Sequence, residues 1–283
     1  MTKIITLKRE QVKLLISWAA AEGWNPGLQD PDVFYDIDPD GFHGLEVAGE
    51  MVAAVSVVKH NPQHSFLGLY ICKPSHRGQR QGWSVWQAGI AQSKATTIGL
   101  DGVVEQQDNY KKSGFQQAWV NQRYSGELEH SNFELSSDEY TFKQVDNNNL
   151  EKAISYDAAI GGVRRAEYLT QWFKNTSTRK TLIAMKGSDV CGVATIRQCE
   201  ENYKIGPCLA ESEDIARSLI FTLSKQVNAK CVIIDVPTPN VVANNLVRSL
   251  NLEPVFETAR MYRGEQPTVD HQRLFGLASL ELG

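Results

Sequence analysis

The stretch Phe66–Gln92 reads FLGLYICKPSHRGQRQGWSVWQAGIAQ and combines three elements in a defined order. Its apolar run Phe66–Cys72 is typical of a buried strand, and this run stops at Pro74, which cannot donate to a sheet ladder. A short loop rich in glycine and basic residues follows. A helix is predicted to start near Gly82, because apolar residues then recur at helical spacing. A strand, a tight loop and a helix N-terminus in this order favour an anion-binding site.

The physical reason lies in the unpaired amides at the start of a helix. The first N–H groups have no intrahelical partner, and the helix dipole favours negative charge there. Gly78 and Gly82 would let the backbone approach an anion closely, and Arg77 and Arg80 would add charge-assisted donors worth about 1.5–3 kcal/mol each. A P-loop is excluded because neither glycine is followed by Lys-Ser or Lys-Thr. On these residues alone, an ordinary loop stays open as the alternative.

The chain can be laid over itself at a spacing of about 134–138 residues, which indicates an internal repeat. The matching segments are GEMVAAV (49–55) with GSDVCGV (187–193), YICKP (70–74) with YKIGP (203–207), and IGLD (98–101) with VIID (232–235). Arg123 and Gly126 likewise match Arg260 and Gly264. The agreement in order and spacing favours a duplication over chance similarity.

Each copy is predicted to contain an opening helix, two or three strands, a Pro-containing turn, an amphipathic helix, a short buried strand, another helix and a last strand. The opening helices are expected at Gln11–Glu22 and at Leu150–Phe173, with Gly161–Gly162 as a place where the second could break. Alternating strands and helices indicate an α+β fold, an α/β sandwich of two tandem lobes, each with a mixed, mostly antiparallel sheet flanked by helices. The lobes are placed at residues 1–130 and 140–283. The polar segment Glu129–Tyr140 between them is interpreted as a linker or an exposed edge strand.

The segment PSHRGQRQGW (74–83) resembles the acyl-CoA pyrophosphate motif R/Q-x-x-G-x-G/A of the GNAT (Gcn5-related N-acetyltransferase) superfamily, with Arg77 in the first place and Gly82 in the last. The pattern over nearly the whole chain is similar to bacterial proteins of this family that carry a second, C-terminal GNAT-like domain. The resemblance implies acetyl-CoA as co-substrate, bound without a metal. The cofactor-binding residues that it implies are Ile71, Cys72, Arg77, Gly78, Gln79, Arg80, Gln81, Gly82 and Trp83. Arg80 replaces the middle glycine, and a helix-like backbone is expected there, because positive φ would cost a non-Gly residue roughly 1–2 kcal/mol.

A tyrosine follows in the spacing Y-x-x-x-G-F, from Tyr110 to Phe115. We expect a short helix to carry Tyr110 and a strand to open at Gly114–Phe115. The spacing resembles the GNAT segment whose tyrosine is the general acid for the departing thiolate, and a phenol near the sulfur can supply that proton. On the residues alone, a tyrosine packed against the sheet is the alternative. Val103 stands where the family often has an Asn. The contacts that this Asn makes to the pantetheine are expected here from one of Gln106, Gln107 and Asn109.

The second lobe keeps the pattern of elements and is predicted to lack the site. LAESED (209–214) takes the place of the phosphate loop. Its carboxylates complement the dipole at a helix N-terminus and would repel a diphosphate. Val247 stands where Tyr110 is expected, and Asn251 where Gly114 is expected. This lobe is therefore expected to bury an interlobe face, and it could complete the acceptor pocket.

The acceptor is predicted to bind beside WAAAEGWNPGLQD (18–30), which resembles the segment between the first two GNAT helices. Trp24 with Glu22 or Asp30 could hold a cation by ring face and charge, and Asn25 begins a turn signal. A packed tryptophan beside a helix end is the alternative. The general base is not evident, and the candidates by residue type are Glu22, His43, Glu46, His76 and Glu105. Cys72 has no evident activating partner for a covalent route.

Composition narrows the function classes further. The chain has 283 residues and a formal net charge of -4, so no basic field would attract nucleic acid or an anionic membrane. No apolar run approaches the ~20 residues that span a bilayer, and the start MTKIITLKREQ lacks an apolar signal core, so a cytoplasmic location is expected. The five cysteines form no C-x-x-C pair, and His60 and His64 lack a third ligand at suitable spacing. No metal is therefore expected.

The leading hypothesis from these patterns is an acyltransferase that moves an acetyl group directly from acetyl-CoA to a primary amine of a small molecule, with Tyr110 as general acid. The protein is expected to act as a monomer or homodimer. A peptide or protein acceptor is the first alternative. A non-catalytic acyl-CoA sensor is the second.

Overall fold

The computed structural model describes residues 2–129 and 139–283. Within them the strands are β1 Thr2–Thr6, β2 Phe42–Val47, β3 Glu50–Lys59, β4 His64–Cys72, β5 Thr97–Val103, β6 Gln116–Glu127, β7 Thr141–Gln144, β8 Arg179–Lys186, β9 Asp189–Gln198, β10 Tyr203–Ala210, β11 Cys231–Pro237, β12 Glu253–Arg263 and β13 Leu274–Gly276. The helices are α1 Arg9–Ala21, α2 Asp30–Ile37, α3 Gln81–Gln92, α4 Gln107–Lys112, α5 Leu150–Gly161, α6 Ala166–Trp172, α7 Glu213–Gln226 and α8 Val241–Ser249. None of these helices is long and apolar enough to cross a membrane.

The element order β-α-α-β-β-β-α-β-α-β occurs twice, from β1 to β6 and from β7 to β12. This order confirms the predicted internal repeat and the α+β fold class. The first opening helix lies within a turn of its predicted bounds, and the second breaks where it was expected to. There α5 ends at Gly161, and Gly162, with φ of +71°, provides the left-handed residue that commonly follows a helix. Most of the polar segment 129–140 lies outside the described residues.

The two repeats share one sheet through an exchange of their last strands. The strand order is β1-β2-β3-β4-β5-β12-β6-β11-β10-β9-β8-β7, with β13 beside β10. The final strand of the second repeat, β12, therefore pairs with β5 of the first, and β6 pairs with β11 of the second. Consequently neither half of the sequence completes its own sheet. The assignment of separate roles to residues 1–130 and 140–283 stays a prediction.

Two buried ion pairs link the exchanged strands. Arg123 on β6 donates to Asp235 on β11 through Nε at 2.7 Å and Nη2 at 3.0 Å. At the equivalent place Arg260 on β12 donates twice to Asp101 on β5, both at 2.7 Å. Burial alone would lower the pKa of Arg260, but Asp101 raises it well above its usual value. All four side chains are almost fully buried, so each repeat supplies one acid and one base to the junction.

The prediction that YKIGP forms a turn like that of YICKP is wrong. Pro207 lies inside β10, whereas Pro74 begins a 3₁₀ turn after β4. The register of β10 against β9 shifts between Ile205 and Cys208. Proline is tolerated in a sheet at such an irregularity, because its missing N–H is not needed for the ladder there.

In each repeat two neighbouring parallel strands, β4 and β5 or β10 and β11, border a cleft, and this cleft differs between the repeats. In the first, β4 pairs with β5 only from His64 to Leu67, and beyond Leu67 the two strands separate. Leu69, with φ of +49°, lies where the register of β4 against β3 shifts. In the second repeat β13 pairs with β10, and Leu277 N donates to the carbonyl of Asp235 on β11 at 2.9 Å. The protein's own chain thus fills the second cleft and leaves the first open.

Candidate active site

A cavity of about 680 Å³ occupies the open cleft of the first repeat. Its walls are the diverging ends of β4 and β5, the loop from His76 to Arg80, the start of α3 and the helix α4. The second repeat closes the far side through β12 and the segment Leu280–Glu281. The cavity therefore lies at the junction of the two repeats.

The loop at one end of the cavity has a different backbone from the one expected. Arg80 is left-handed, with φ of 60° and ψ of 8°, so the prediction of a helix-like conformation is wrong. The chain must turn from the 3₁₀ turn Pro74–His76 into α3 over four residues, and it does so with positive φ at Gly78 and Arg80. The strain at Arg80 is of the order of 1–2 kcal/mol. Its guanidinium forms no hydrogen bond or ion pair with any described residue and borders the cavity.

The first amides of α3 lie beside this arginine, and that of Gly82 also interacts with the thiol of Cys72. Ser84 N donates to the carbonyl of Arg80 at 3.2 Å, so the amides of the preceding turn have no intrahelical acceptor. Gly82 leaves room for Tyr70 here, because a Cβ would lie 2.7 Å from the Tyr70 hydroxyl and that side chain would have to shift. Trp83 is 45% exposed and borders the cavity, while Val85 and Trp86 bury the helix against the sheet. This end of the cavity is suited to an anion.

Arg77 is already engaged by two groups. It donates through Nε to the carbonyl of Cys72 at 2.9 Å and forms an ion pair with Glu22 at the end of α1. Half of its side-chain surface is exposed, so the ion pair lies at the cavity mouth. An anion in the cavity would compete with Glu22 for this guanidinium.

Tyr110 lies on the short helix α4, as predicted, and borders the cavity. Its ring stacks on Trp86 at a centroid distance of 5.2 Å and an interplanar angle of 12°. Its residue is 8% exposed, and its hydroxyl makes no hydrogen bond to a described residue. Burial, and then the nearby Tyr70, raise the pKa of Tyr110 well above its usual value. The phenol is therefore protonated at neutral pH and can act as a proton donor.

Trp24 is held in the cavity wall by the second repeat. Its carbonyl accepts from Arg123 Nη1 at 3.1 Å and from Lys204 Nζ at 2.8 Å. The neighbouring Asn25 exchanges hydrogen bonds with the backbone of Glu201 at 2.7 and 3.1 Å. Asn25 thus fastens this segment to the second repeat and does not line the cavity.

Lys204 makes the stability of this junction depend on pH. Burial, and then Arg123, lower the pKa of Lys204 to about 8, whereas an exposed lysine titrates near 10.4. Between these values the unfolded chain binds more protons than the folded one, so Lys204 favours folding more as pH rises. We expect the free energy of unfolding of the parent to rise relative to Lys204→Met by roughly 1 kcal/mol per pH unit between about pH 8 and 10. Urea unfolding of both proteins across this range measures the difference, and parallel pH curves would contradict it.

The structure brings together most of the residues singled out from the sequence. Those that border the cavity are Glu22, Trp24, Ile71, Cys72, His76, Arg77, Gly78, Arg80, Gln81, Gly82, Trp83, Glu105, Gln106 and Tyr110. Gln79 donates instead to Ser75 O at 3.2 Å, and Asn109 donates to Gln106 Oε1 at 3.0 Å. Of the base candidates, His43 is buried in β2 away from the cavity, and burial lowers its pKa.

Several residues that border the cavity were not assigned to the site from the sequence. They are Asp101, Arg123, Phe256, Thr258, Leu280 and Glu281. The match of Arg123 to Arg260 was visible in the repeat, but the exchange that brings Arg123 into this cavity was not. Glu281 carried no local signal, because it borders the cavity only through the packing of the segment after β13.

The equivalent region of the second repeat is built differently. Ser212 caps α7 by accepting from Ile215 N at 3.4 Å, and Glu213 and Asp214 occupy its first turn. Val247 is buried at the position equivalent to Tyr110, and Asn251 takes positive φ as Gly114 does. Among the described residues no group of three or more His, Cys, Asp or Glu could hold a metal ion.

Comparisons with known proteins identify the fold and the family. The model of an "Acetyltransferase (GNAT) domain" matches residues 153–276, in the second repeat. The chain is 32% identical over 275 residues to the holothin acyltransferase of Pseudoalteromonas sp. (strain SANK 73390), covering 97% of this chain and 92% of that protein. A putative acetyltransferase from Pyrococcus horikoshii superposes with a TM-score of 0.82 at 19% identity, covering 100% of this chain and 96% of the other.

A tandem GNAT protein from the clavulanic acid biosynthesis pathway shares the same architecture. Its TM-score is 0.65 at 11% identity, with 93% of this chain and 98% of the other covered. At these identities the two solved structures are evidence of the fold alone. The family model and the relative with 32% identity go further, since the latter spans nearly the whole chain. The protein is therefore an acyltransferase that belongs to the GNAT family, in a tandem form with two GNAT-like repeats.

Proposed function

We propose that this chain transfers an acyl group, in the first instance acetyl from acetyl-CoA, directly to a primary amine of a small molecule. The observation that carries the proposal is one open cavity that joins an anion-binding helix start to the hydroxyl of Tyr110. The equivalent cleft of the second repeat is filled by β13, so a single catalytic site per chain is proposed. Members of this family generally use acetyl-CoA, which supports the choice of donor.

The residues divide the binding of acyl-CoA between them. The diphosphate is held by the amides at the start of α3 and by Arg80, while Arg77 exchanges its ion pair with Glu22 for a phosphate oxygen. Ile71 and Cys72 pair with β3 on one side only, because β5 has already diverged. The backbone edge on the other side is available to the pantetheine amides, as in the addition of a strand to a sheet, apart from the carbonyl of Cys72, which accepts from Arg77 Nε.

The transfer step needs two proton movements. The nitrogen of the neutral amine attacks the thioester carbonyl carbon, a C–N bond forms and the C–S bond breaks. The leaving sulfur takes its proton from the Tyr110 hydroxyl, and the nitrogen loses a proton to a base in the cavity. Tyr110 suits its part because burial raises its pKa and keeps it neutral, and its hydroxyl is not engaged by another described residue.

The acceptor is proposed to enter beside Trp24 and Phe256, where the two repeats meet. These rings provide apolar faces, and the carboxylates of Glu22 and Glu105 at the mouth favour an amine over an acid. The relative with 32% identity is named for acyl transfer to holothin, which supports a discrete compound as acceptor rather than a protein.

Thiol release from acetyl-CoA across a panel of small amines tests the proposal, with the acetylated product confirmed by mass spectrometry. We expect amine-dependent release for at least one small amine. Peptides and a lysine-rich protein form the comparison set. Release with the peptides alone would contradict the acceptor class, and no amine-dependent release with any acceptor would contradict the transferase proposal.

Arg80 provides a test of the diphosphate site alone. Arg80→Gly removes the guanidinium and relieves the strain of positive φ, so we expect coenzyme A to bind about 10- to 100-fold more weakly while the folded state is as stable or slightly more stable. Calorimetric titration with coenzyme A and thermal unfolding measure the two effects. Lys94→Ala, which removes one positive charge beyond the other end of α3, is the control. Unchanged affinity in Arg80→Gly would place the diphosphate elsewhere.

A further inference from the structure

Glu281 is a buried residue that borders the cavity, and its carboxylate is not used in any hydrogen bond or ion pair among the described residues. Only 4% of the residue is exposed. Within residues 2–129 and 139–283, its carboxylate accepts no hydrogen bond and forms no ion pair. Its two carboxylate oxygens are also not sealed off inside the protein, unlike other buried side-chain atoms that have no hydrogen-bond partner. The carboxylate therefore faces the open volume of the cavity and is available to a group inside it.

The titratable groups around Glu281 come from four strands and the residue after one of them. They are Asp101 on β5, Arg123 on β6, Arg197 on β9, Cys199 just after β9 and Lys204 on β10. The three cations attract a negative charge on Glu281 through space.

None of these cations is a contact partner of Glu281, because each is engaged elsewhere. Arg123 is bidentate to Asp235, Arg197 is paired with Asp30, and Lys204 donates to the carbonyl of Trp24. Asp101 is likewise bound by Arg260. Glu281 is thus a buried acid near the junction that no base within the described residues neutralises by contact. A carboxylate in this setting is costly to bury, so its place beside a cavity points to a use there.

Main-chain packing defines which part of β4 lies beside Glu281. Its carbonyl oxygen lies against Gly68, where a Cβ would approach to 2.0 Å, so only glycine fits at that point of β4. Gly68 directly precedes Leu69, where β4 bulges and turns away from β5. From Gly68 to Cys72 the strand advances roughly 13 Å toward the phosphate loop. Glu281 therefore stands at the opposite end of the cleft from Arg80, where a thioester stretched along β4 would end.

Resting on the proposed function, we propose that Glu281 is the base that takes the proton from the acceptor amine. The amine nitrogen forms its bond to the acyl carbon and passes one proton to a carboxylate oxygen of Glu281. The C–S bond breaks, and the sulfur takes the proton of Tyr110. Water in the cavity then carries the proton from Glu281 back to the Tyr110 phenolate, which restores both groups and leaves an amide and free coenzyme A thiol.

Steady-state kinetics of Glu281→Gln test the assignment with the amine that the panel identifies. We expect kcat to fall about 10²-fold or more, since general base catalysis is worth 10²–10⁴-fold. If kcat of the parent falls toward acid pH, that fall should be absent from this variant, because an amide has no proton to gain in place of the carboxylate. Coenzyme A affinity and the thermal midpoint should be unchanged. Glu281→Asp retains a carboxylate, so its kcat should be intermediate and should depend on pH in the same way as that of the parent.

Glu257→Gln is the matched control, since Glu257 is exposed on β12 between Phe256 and Thr258, two residues that border the cavity. This control should keep the parental kcat and pH profile. If Glu281→Gln has the same kcat as the parent and the same dependence of kcat on pH, the assignment of the base is overturned while the transferase proposal stands. A lower thermal midpoint with loss of coenzyme A affinity in both Glu281 variants would also overturn it, in favour of a structural role. A parent without any amine-dependent turnover would instead overturn the proposed function.

Discussion

Replacement of Tyr110 by Phe is expected to lower kcat by about 10²-fold or more while leaving the affinity for coenzyme A and the thermal midpoint unchanged. The ring that stacks on Trp86 is retained, and only the hydroxyl is lost. Because that hydroxyl has no hydrogen-bond partner among the described residues, its removal costs the fold little. The proton for the departing sulfur would then have to come from water.

Stopped-time assays of thiol release over a range of acetyl-CoA concentrations separate the effect on kcat from that on KM. Tyr35→Phe is the matched control, because Tyr35 lies on α2 with its ring under the guanidinium of Arg9 at 4.6 Å and does not border the cavity. A kcat for Tyr110→Phe equal to that of the parent would refute the general-acid role. The burial that raises the pKa of Tyr110 also predicts that any alkaline fall in kcat below about pH 9 comes from another group.

Replacement of Arg123 by Leu is expected to lower the free energy of unfolding by about 3–5 kcal/mol, because it leaves Asp235 charged and buried without a partner. Burial alone would raise the pKa of Asp235, but Arg123 lowers it, so the folded state is stabilised by the ionised pair. The same change removes one of two donors to the carbonyl of Trp24, so activity should fall as well. Chemical denaturation followed by fluorescence measures the stability.

The double variant Arg123→Leu, Asp235→Leu should recover most of the stability, since no buried charge is then left without its partner. Arg217→Met in α7 serves as the comparison, because it breaks the part-exposed pair with Glu213 and should cost less than about 1 kcal/mol. Equal losses in Arg123→Leu and Arg217→Met would mean that the exchanged strands do not depend on their central ion pair.

The candidate site could be predicted from the sequence where its parts are close along the chain. The strand Phe66–Cys72, the basic loop and α3 form one local pattern, and Tyr110 follows at a spacing typical of the family. All of these border one cavity in the structure. The backbone of Arg80 was predicted wrongly, because its local preference for negative φ is overridden by the short connection into α3. Asn25, Gln79 and Asn109 lie nearby, but their side chains bond to other groups of the protein.

The parts contributed by the second repeat could not be predicted in the same way. Asp101 and Asp235 are the last residues of the matching segments IGLD and VIID, and either is a suitable partner for Arg123 or Arg260. Side-chain patterns of this kind do not predict whether β6 pairs with β5 or with β11, nor with which of them β12 pairs. In the structure the backbone ladder pairs Asp235 with Arg123 and Asp101 with Arg260, which decides the question.

The amino-acid sequence by itself determined the duplication, the class of fold and the contrast between a basic and an acidic helix start, because periodicity and charge act over a few neighbouring residues. The tertiary structure alone decided that the last strands are exchanged, that β13 fills the second cleft and that Glu281 reaches the first. These features depend on backbone hydrogen bonds and close packing between segments far apart in the chain, and such contacts leave no local pattern in the residues that make them.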